Sequence, residues 1–176
     1  MRMRWVVAGM LALAWGLAAG QGRDPDTHFF EPSFGDFREE LATARAEGRR
    51  GVMVFFESDT CPYCKRMRRT VLNRPEVQRY YRERFRCLTV DVEGDVEVVD
   101  FDGTPTIEKA MARRYRVWAT PVIAFFDLEG RLVFRYTGAT STPEHFLWLA
   151  EYVAEGHYEM MPFLEYKRRK QAGGGS

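Results

Sequence analysis

The chain has 176 residues, the usual size of one domain with a self-sufficient core, so a multidomain machine is excluded. Hydrophobic residues at 45% and aromatics at 14%, against 29% charged, exclude disorder, collagen and a polytopic membrane protein. Twenty-six Lys and Arg nearly cancel twenty-five Asp and Glu, and the resulting +1 offers no general field for nucleic acid, so function must reside in a local site.

Arg2 and Arg4 precede an uncharged run from Trp5 to Ala19 that ends in Ala18, Ala19 and Gly20. This is the layout of a secretory signal over residues 1–20, with an uncleaved anchor as the alternative reading. Either way the domain is exported, and cleavage leaves no stable membrane span. Loss of the two arginines takes the formal charge from +1 to −1.

Residues 21–32 are polar with two prolines and read as a linker pinned by Phe29 and Phe30. Ser33 is positioned to cap a helix in which Phe34, Phe37, Leu41 and Ala44 recur at helical spacing up to Gly48. Gly51 to Glu57 is a short apolar run suited to a strand buried on both faces. A helix is predicted from Pro62 to Asn73, and Pro75 starts another that carries Val77, Tyr80 and Tyr81 toward a second strand over Phe85–Asp91. Val92 to Pro105, with five acids, two glycines and a proline, reads as a surface loop with room for a short turn of strand, and Thr106 to Tyr115 reads as helical. Val122–Phe126 and Leu132–Phe134, separated at Leu128-Glu129-Gly130, predict a hairpin. Thr142 and Pro143 then open a helix closed by Gly156. The order α, β, α, β, α, β, β, α defines an α/β domain over residues 33–156: a mixed central β-sheet with helices on both faces. Residues 157–176, with Lys167-Arg168-Arg169-Lys170 and a Gly-rich end, read as a C-terminal extension and flexible tail.

Chemistry concentrates at Cys61-Pro62-Tyr63-Cys64. A strand ending before Cys61 and a helix starting at Pro62 put the first thiol at a helix N-terminus, where outward N–H groups stabilise anionic sulfur. The i, i+3 spacing brings both sulfurs within bonding reach. Cys61 is therefore the candidate nucleophile, with a depressed pKa, and Cys64 the resolving thiol one turn deeper. Zinc would need two further ligands, but the chain offers only His28, His145 and His157 and no second CxxC. A static disulfide remains the bland alternative, although so small a ring contributes little loop entropy. Cys87, in a predicted central strand, reads as a packed, inert thiol. Tyr63 is expected to be exposed against a partner, and Trp118 reads equally as a substrate-facing aromatic or a loop anchor.

The strand–CxxC–helix unit, the later Ala119-Thr120-Pro121 and the strand end Phe55-Phe56-Glu57-Ser58 make the chain resemble the thioredoxin superfamily over about residues 33–156, and within it the SoxW-like periplasmic thioredoxins. Glutaredoxins share the Pro-Tyr dipeptide, but glutathione specificity is not implied. The resemblance implies that Pro121 is cis and lies against the sulfurs, and that the Thr120 backbone pairs with an extended substrate segment. It implies no cofactor, protein disulfides or thiols as substrates, and electrons delivered by a membrane thiol transporter. Two departures stand out. Thioredoxins carry a buried aspartate six residues before the first cysteine, where this chain has Phe55, so Glu57 is the candidate substitute proton acceptor. Asp59 and Thr60 also replace the usual residues before the pair, so redox poise does not transfer. The alternative from a different class is a thioredoxin-fold metallochaperone holding Cu(I) through the same cysteines.

Overall fold

A computed structural model describes residues 22–173; the leader assigned to residues 1–20 lies outside the described residues. Strand β1 (Gly51–Glu57) forms the middle of the molecule because its apolar run has two faces to bury. It pairs in parallel with β2 (Phe85–Asp91) and antiparallel with β5 (Val122–Asp127), which pairs with β6 (Leu132–Thr137). The sheet order is therefore β2-β1-β5-β6. The Val92–Pro105 stretch contains β3 (Glu97–Val99), which pairs with β4 (Pro105–Ile107) as a separate two-stranded ribbon.

Alternation along β1 divides the core. Val52, Val54 and Phe56 face helix α2 (Phe37–Ala46) and helix α5 (Glu108–Arg114) through Phe37, Leu41, Ala44, Met111 and Ala112. Met53 and Phe55 face the other layer, built by α3 (Pro62–Thr70), α4 (Pro75–Arg82) and α6 (Pro143–Ala154). There Tyr81 stacks on Phe146 with centroids 4.3 Å apart and donates its hydroxyl to the Phe146 carbonyl at 2.6 Å. Burial of the ring with its one polar group satisfied makes this a firm seam between α4 and α6. The mixed sheet with helices on both faces is thus the architecture expected from the element order.

Four local expectations change. The second helix begins at Phe37, not after Ser33. Asp36 caps it by accepting the Arg38 N–H at 2.9 Å, while Gly35 sits at φ 83° and turns the chain away, leaving Phe34 fully exposed. The predicted linker holds a short helix, α1 (Pro25–His28), and docks fully, with Phe29 and Phe30 in the core. The predicted flexible tail is folded from Phe163 to Gly173 as helix α7. Phe163 and Tyr166, one turn apart, pack against Tyr152, and Lys170 pairs with Glu151 at 2.7 Å. An apolar face one turn wide is masked in sequence by the four adjacent cations. Finally, β2 is an edge strand, not a central one. Its free side is covered by the N-terminal segment, where the Glu31 N–H bonds the Cys87 carbonyl at 2.9 Å and the Cys87 N–H bonds the Glu31 carboxylate at 3.1 Å.

Glu31 is nearly buried and collects Arg49 at 2.6 Å and Arg86 at 3.2 Å, which compensates its charge and locks the N-terminal segment to the sheet edge. Among the described residues no helix is long and apolar enough to cross a membrane.

Candidate active site

Strand β1 delivers the chain to a turn in which the Cys61 N–H bonds the Ser58 carbonyl at 3.1 Å. Pro62 occupies the first turn of α3, where its missing N–H costs nothing. Cys61 is the N-cap of α3, and its Sγ accepts the Cys64 N–H at 3.0 Å, so sulfur takes the place that a hydroxyl or carboxylate oxygen usually fills. Cys61 and Cys64 are joined as a disulfide with their Cα atoms 5.3 Å apart. Cys61 is the more accessible at 5% exposure against 1% for Cys64. Beneath them lie Phe30, Phe55 and Met67, so the position of the usual buried aspartate is filled by an aromatic ring in an apolar layer.

Thr120 and Pro121 come to the same place by register. Phe56 pairs with Val122 as the last rung of the antiparallel β1–β5 ladder, so Thr120 and Pro121 lead into β5 at the sheet end where β1 runs on to Ser58 and Cys61. The Thr120–Pro121 peptide bond is cis. The Pro121 carbonyl is taken by the Gly138 N–H at 2.9 Å, whereas neither backbone group of Thr120 has a partner among the described residues. Tyr63 and Trp118 flank this region at 60% and 76% exposure. Trp118 is therefore not a loop anchor.

Glu57 shares the sheet face of Phe55 and is largely shielded from solvent. It forms a two-pronged ion pair with the Nε–Nη2 edge of the Arg68 guanidinium and accepts the Thr89 hydroxyl at 2.7 Å. Arg68 also reaches Asp26 at 2.7 Å and lies 4.9 Å over the Phe30 ring. The Glu57 hydrogen bond raises the Arg68 guanidinium above its ordinary value. Sequence reasoning missed Arg68, Asp26 and Phe30 as supports of the site. One arginine among four neighbouring cations in α3 carries no mark of being the paired one.

Cys87 is buried and unpaired, and burial, with Glu31 next, pushes its thiol well above the ordinary range. No group of three or more His, Cys, Asp and Glu among the described residues is arranged to hold a metal ion. His28, His145 and His157 sit in or beside α1, α6 and the turn after α6, each in contacts of its own.

A four-stranded mixed sheet between helix layers, a disulfide at the start of the helix after β1 and a cis-proline entering β5 at the same end of the sheet together define a thioredoxin-type protein. The chain matches the thioredoxin-like domain over residues 37–154 and belongs to that family. It is similar to a thioredoxin from Thermus thermophilus, with 32% identity and a TM-score of 0.54 over 72% of this chain and 87% of that one. A putative disulphide-isomerase from Bacteroides thetaiotaomicron gives 28% identity and 0.54 over 72% and 92%. A thioredoxin-fold protein from Helicobacter pylori, at 22% identity and 0.55 over 69% and 85%, agrees in fold. Comparison with curated proteins finds no match.

Proposed function

We propose that this is an exported thiol–disulfide oxidoreductase of the SoxW-like kind, working as a reductant of protein disulfides and recharged by a membrane thiol transporter. The carrying observation is the Cys64 N–H at 3.0 Å from the Cys61 sulfur at the mouth of α3. A donor aimed at that atom favours its anionic form, which is the nucleophile of disulfide exchange.

In the reduced protein the Cys61 thiolate attacks one sulfur of the substrate disulfide, forming a mixed disulfide and releasing the substrate's other sulfur as a thiolate that takes up a proton. Cys64 loses its proton and attacks Cys61 Sγ, the bond to the substrate breaks, and the second substrate thiol departs. Two electrons have passed to the substrate, and the Cys61–Cys64 bridge is restored. The unpartnered Thr120 backbone groups hold the substrate segment as an added strand, with Pro121 beside the sulfurs and Tyr63 against the partner. Glu57 is assigned the proton acceptor's place on the face of Phe55, acting only when Arg68 yields one of its carboxylate oxygens.

The test is trapping. Cys64→Ser should accumulate a mixed disulfide through Cys61 with exported protein substrates and lose turnover, while Cys87→Ser retains both. One-to-one Cu(I) binding without reduction of any disulfide would replace this reading with the metallochaperone one.

A further inference from the structure

The nine-residue helix α3 carries four cations and no acid. Arg68 is consumed by Glu57 and Asp26. Lys65, Arg66 and Arg69 are exposed and close no ion pair among the described residues. Many other arginines are matched, with Arg38, Arg86, Arg114 and Arg131 each on a carboxylate within 2.8 Å. In a chain whose formal charge is only +1, this leaves a local excess at the redox helix. Lys65, Arg66 and Arg69 stand at i+3, i+4 and i+7 from Pro62, so they line one face that begins at the disulfide. Asp59 is the sole acid between Ser58 and Thr70.

An unpaired basic face is ordinarily just solvated. Here it runs on from exposed Tyr63, and the sheet register brings the loop with exposed Trp118 and the unpartnered backbone of Thr120 to the same end of the sheet, so charge, apolar surface and strand-pairing groups share that end of the molecule. We infer that the protein segment exchanging disulfides at Cys61 is acidic, with its Asp and Glu side chains meeting Lys65, Arg66 and Arg69 and its apolar side chains resting on Tyr63 and Trp118. This rests on the oxidoreductase reading above and adds the class of partner. A lipid surface fits less well, since it offers nothing to the Thr120 backbone. The rim charges act mainly on encounter rate, which makes the preference dependent on salt.

The experiment uses the reduced full chain and two synthetic peptides, each closed by one disulfide around the same apolar residues, one flanked by glutamates and one by lysines. Each turnover converts protein dithiol and peptide disulfide into protein disulfide and peptide dithiol, so no other reductant enters. At low ionic strength the acidic peptide should be reduced about tenfold faster than the basic one, the ratio falling toward unity at high salt. Lys65→Glu with Arg66→Glu and Arg69→Glu should invert the ratio, and Arg69→Glu alone should lower it. Because the readout is a ratio, any change in intrinsic Cys61 reactivity cancels. Trp118→Ala should slow both peptides and leave the ratio intact.

A ratio near one in the unmodified protein, or one that survives the triple reversal, overturns the inference. So does binding to phosphatidylserine vesicles that the triple reversal abolishes while both peptides react equally, which would assign the face to lipid. If the reduced protein reacts with neither peptide nor a small aromatic disulfide, the oxidoreductase reading itself has failed.

Discussion

Arg68 in α3 reaches back across the start of its helix to Glu57 at the end of β1, closing the strand–turn–helix unit that holds the cysteines. Both side chains are largely shielded, at 21% and 14% exposure, so each charge depends on the other. Arg68→Ala should cost about 3 kcal/mol in urea unfolding, because it strands a shielded carboxylate. Arg68→Lys, which keeps the charge but not the bidentate geometry, should cost about 1 kcal/mol. Equal stability of Arg68→Ala and the parent protein would show that the pair contributes nothing to the junction.

Cys61 and Cys87 should behave oppositely toward thiol reagents. In the reduced protein, thiolate absorbance should develop at Cys61 at a lower pH than for free cysteine, about 8.5. Cys87 should stay unmodified until denaturant is added, since burial pushes its thiol well above the ordinary range. Mass spectrometry of alkylated peptides reads both, and rapid native labelling of Cys87 would contradict its enclosure.

His145 links acid stability to the C-terminal helix. Its ring stacks on Phe163 at 5.9 Å, and burial, with Lys167 second, lowers its pKa below the ordinary value of 6.5. The unfolded chain therefore binds a proton that the folded one refuses, so ν_U exceeds ν_N in the interval below 6.5. The His145 contribution is complete above that pH and declines as pH falls toward the folded value. Unfolding free energies between pH 7 and 5 should fall more steeply for the parent than for His145→Gln, and parallel curves would refute the linkage.

Gly51 opens β1 where the neighbouring β5 backbone comes close, and a Cβ there would overlap the Phe126 carbonyl oxygen. Gly51→Ala must shift the ladder, at a cost of about 2–4 kcal/mol by thermal or urea unfolding. Gly48→Ala tests the distinction, since that Cβ meets nothing within 4 Å and pays only for its positive φ, about 1 kcal/mol.

Much of the site was legible because its signals are local. A continuous apolar run such as Val52–Phe56 has to be buried on both faces, and proline after Cys61 has to sit in a first helical turn. Helix starts and chain ends were less legible where two signals compete. Ser33 and Asp36 both offer a cap, and only the left-handed turn at Gly35 selects the second. The basic run Lys167–Lys170 reads as solvated until Phe163 and Tyr166 find an aromatic surface on α6 and β6.

Sequence alone determined the order of the four sheet strands and the helices between them, the i, i+3 cysteines at a helix mouth and Phe55 at the place of the usual aspartate before them, all properties of residues near one another in the chain. Tertiary structure decided what distant segments bring to that mouth: Thr120–Pro121 by strand register, Arg68 as the tether of Glu57, and Glu31 as cover for the β2 edge. The physical reason is that periodicity and capping are short-range, whereas register, ion-pair choice and edge protection depend on which surfaces meet once the core has closed.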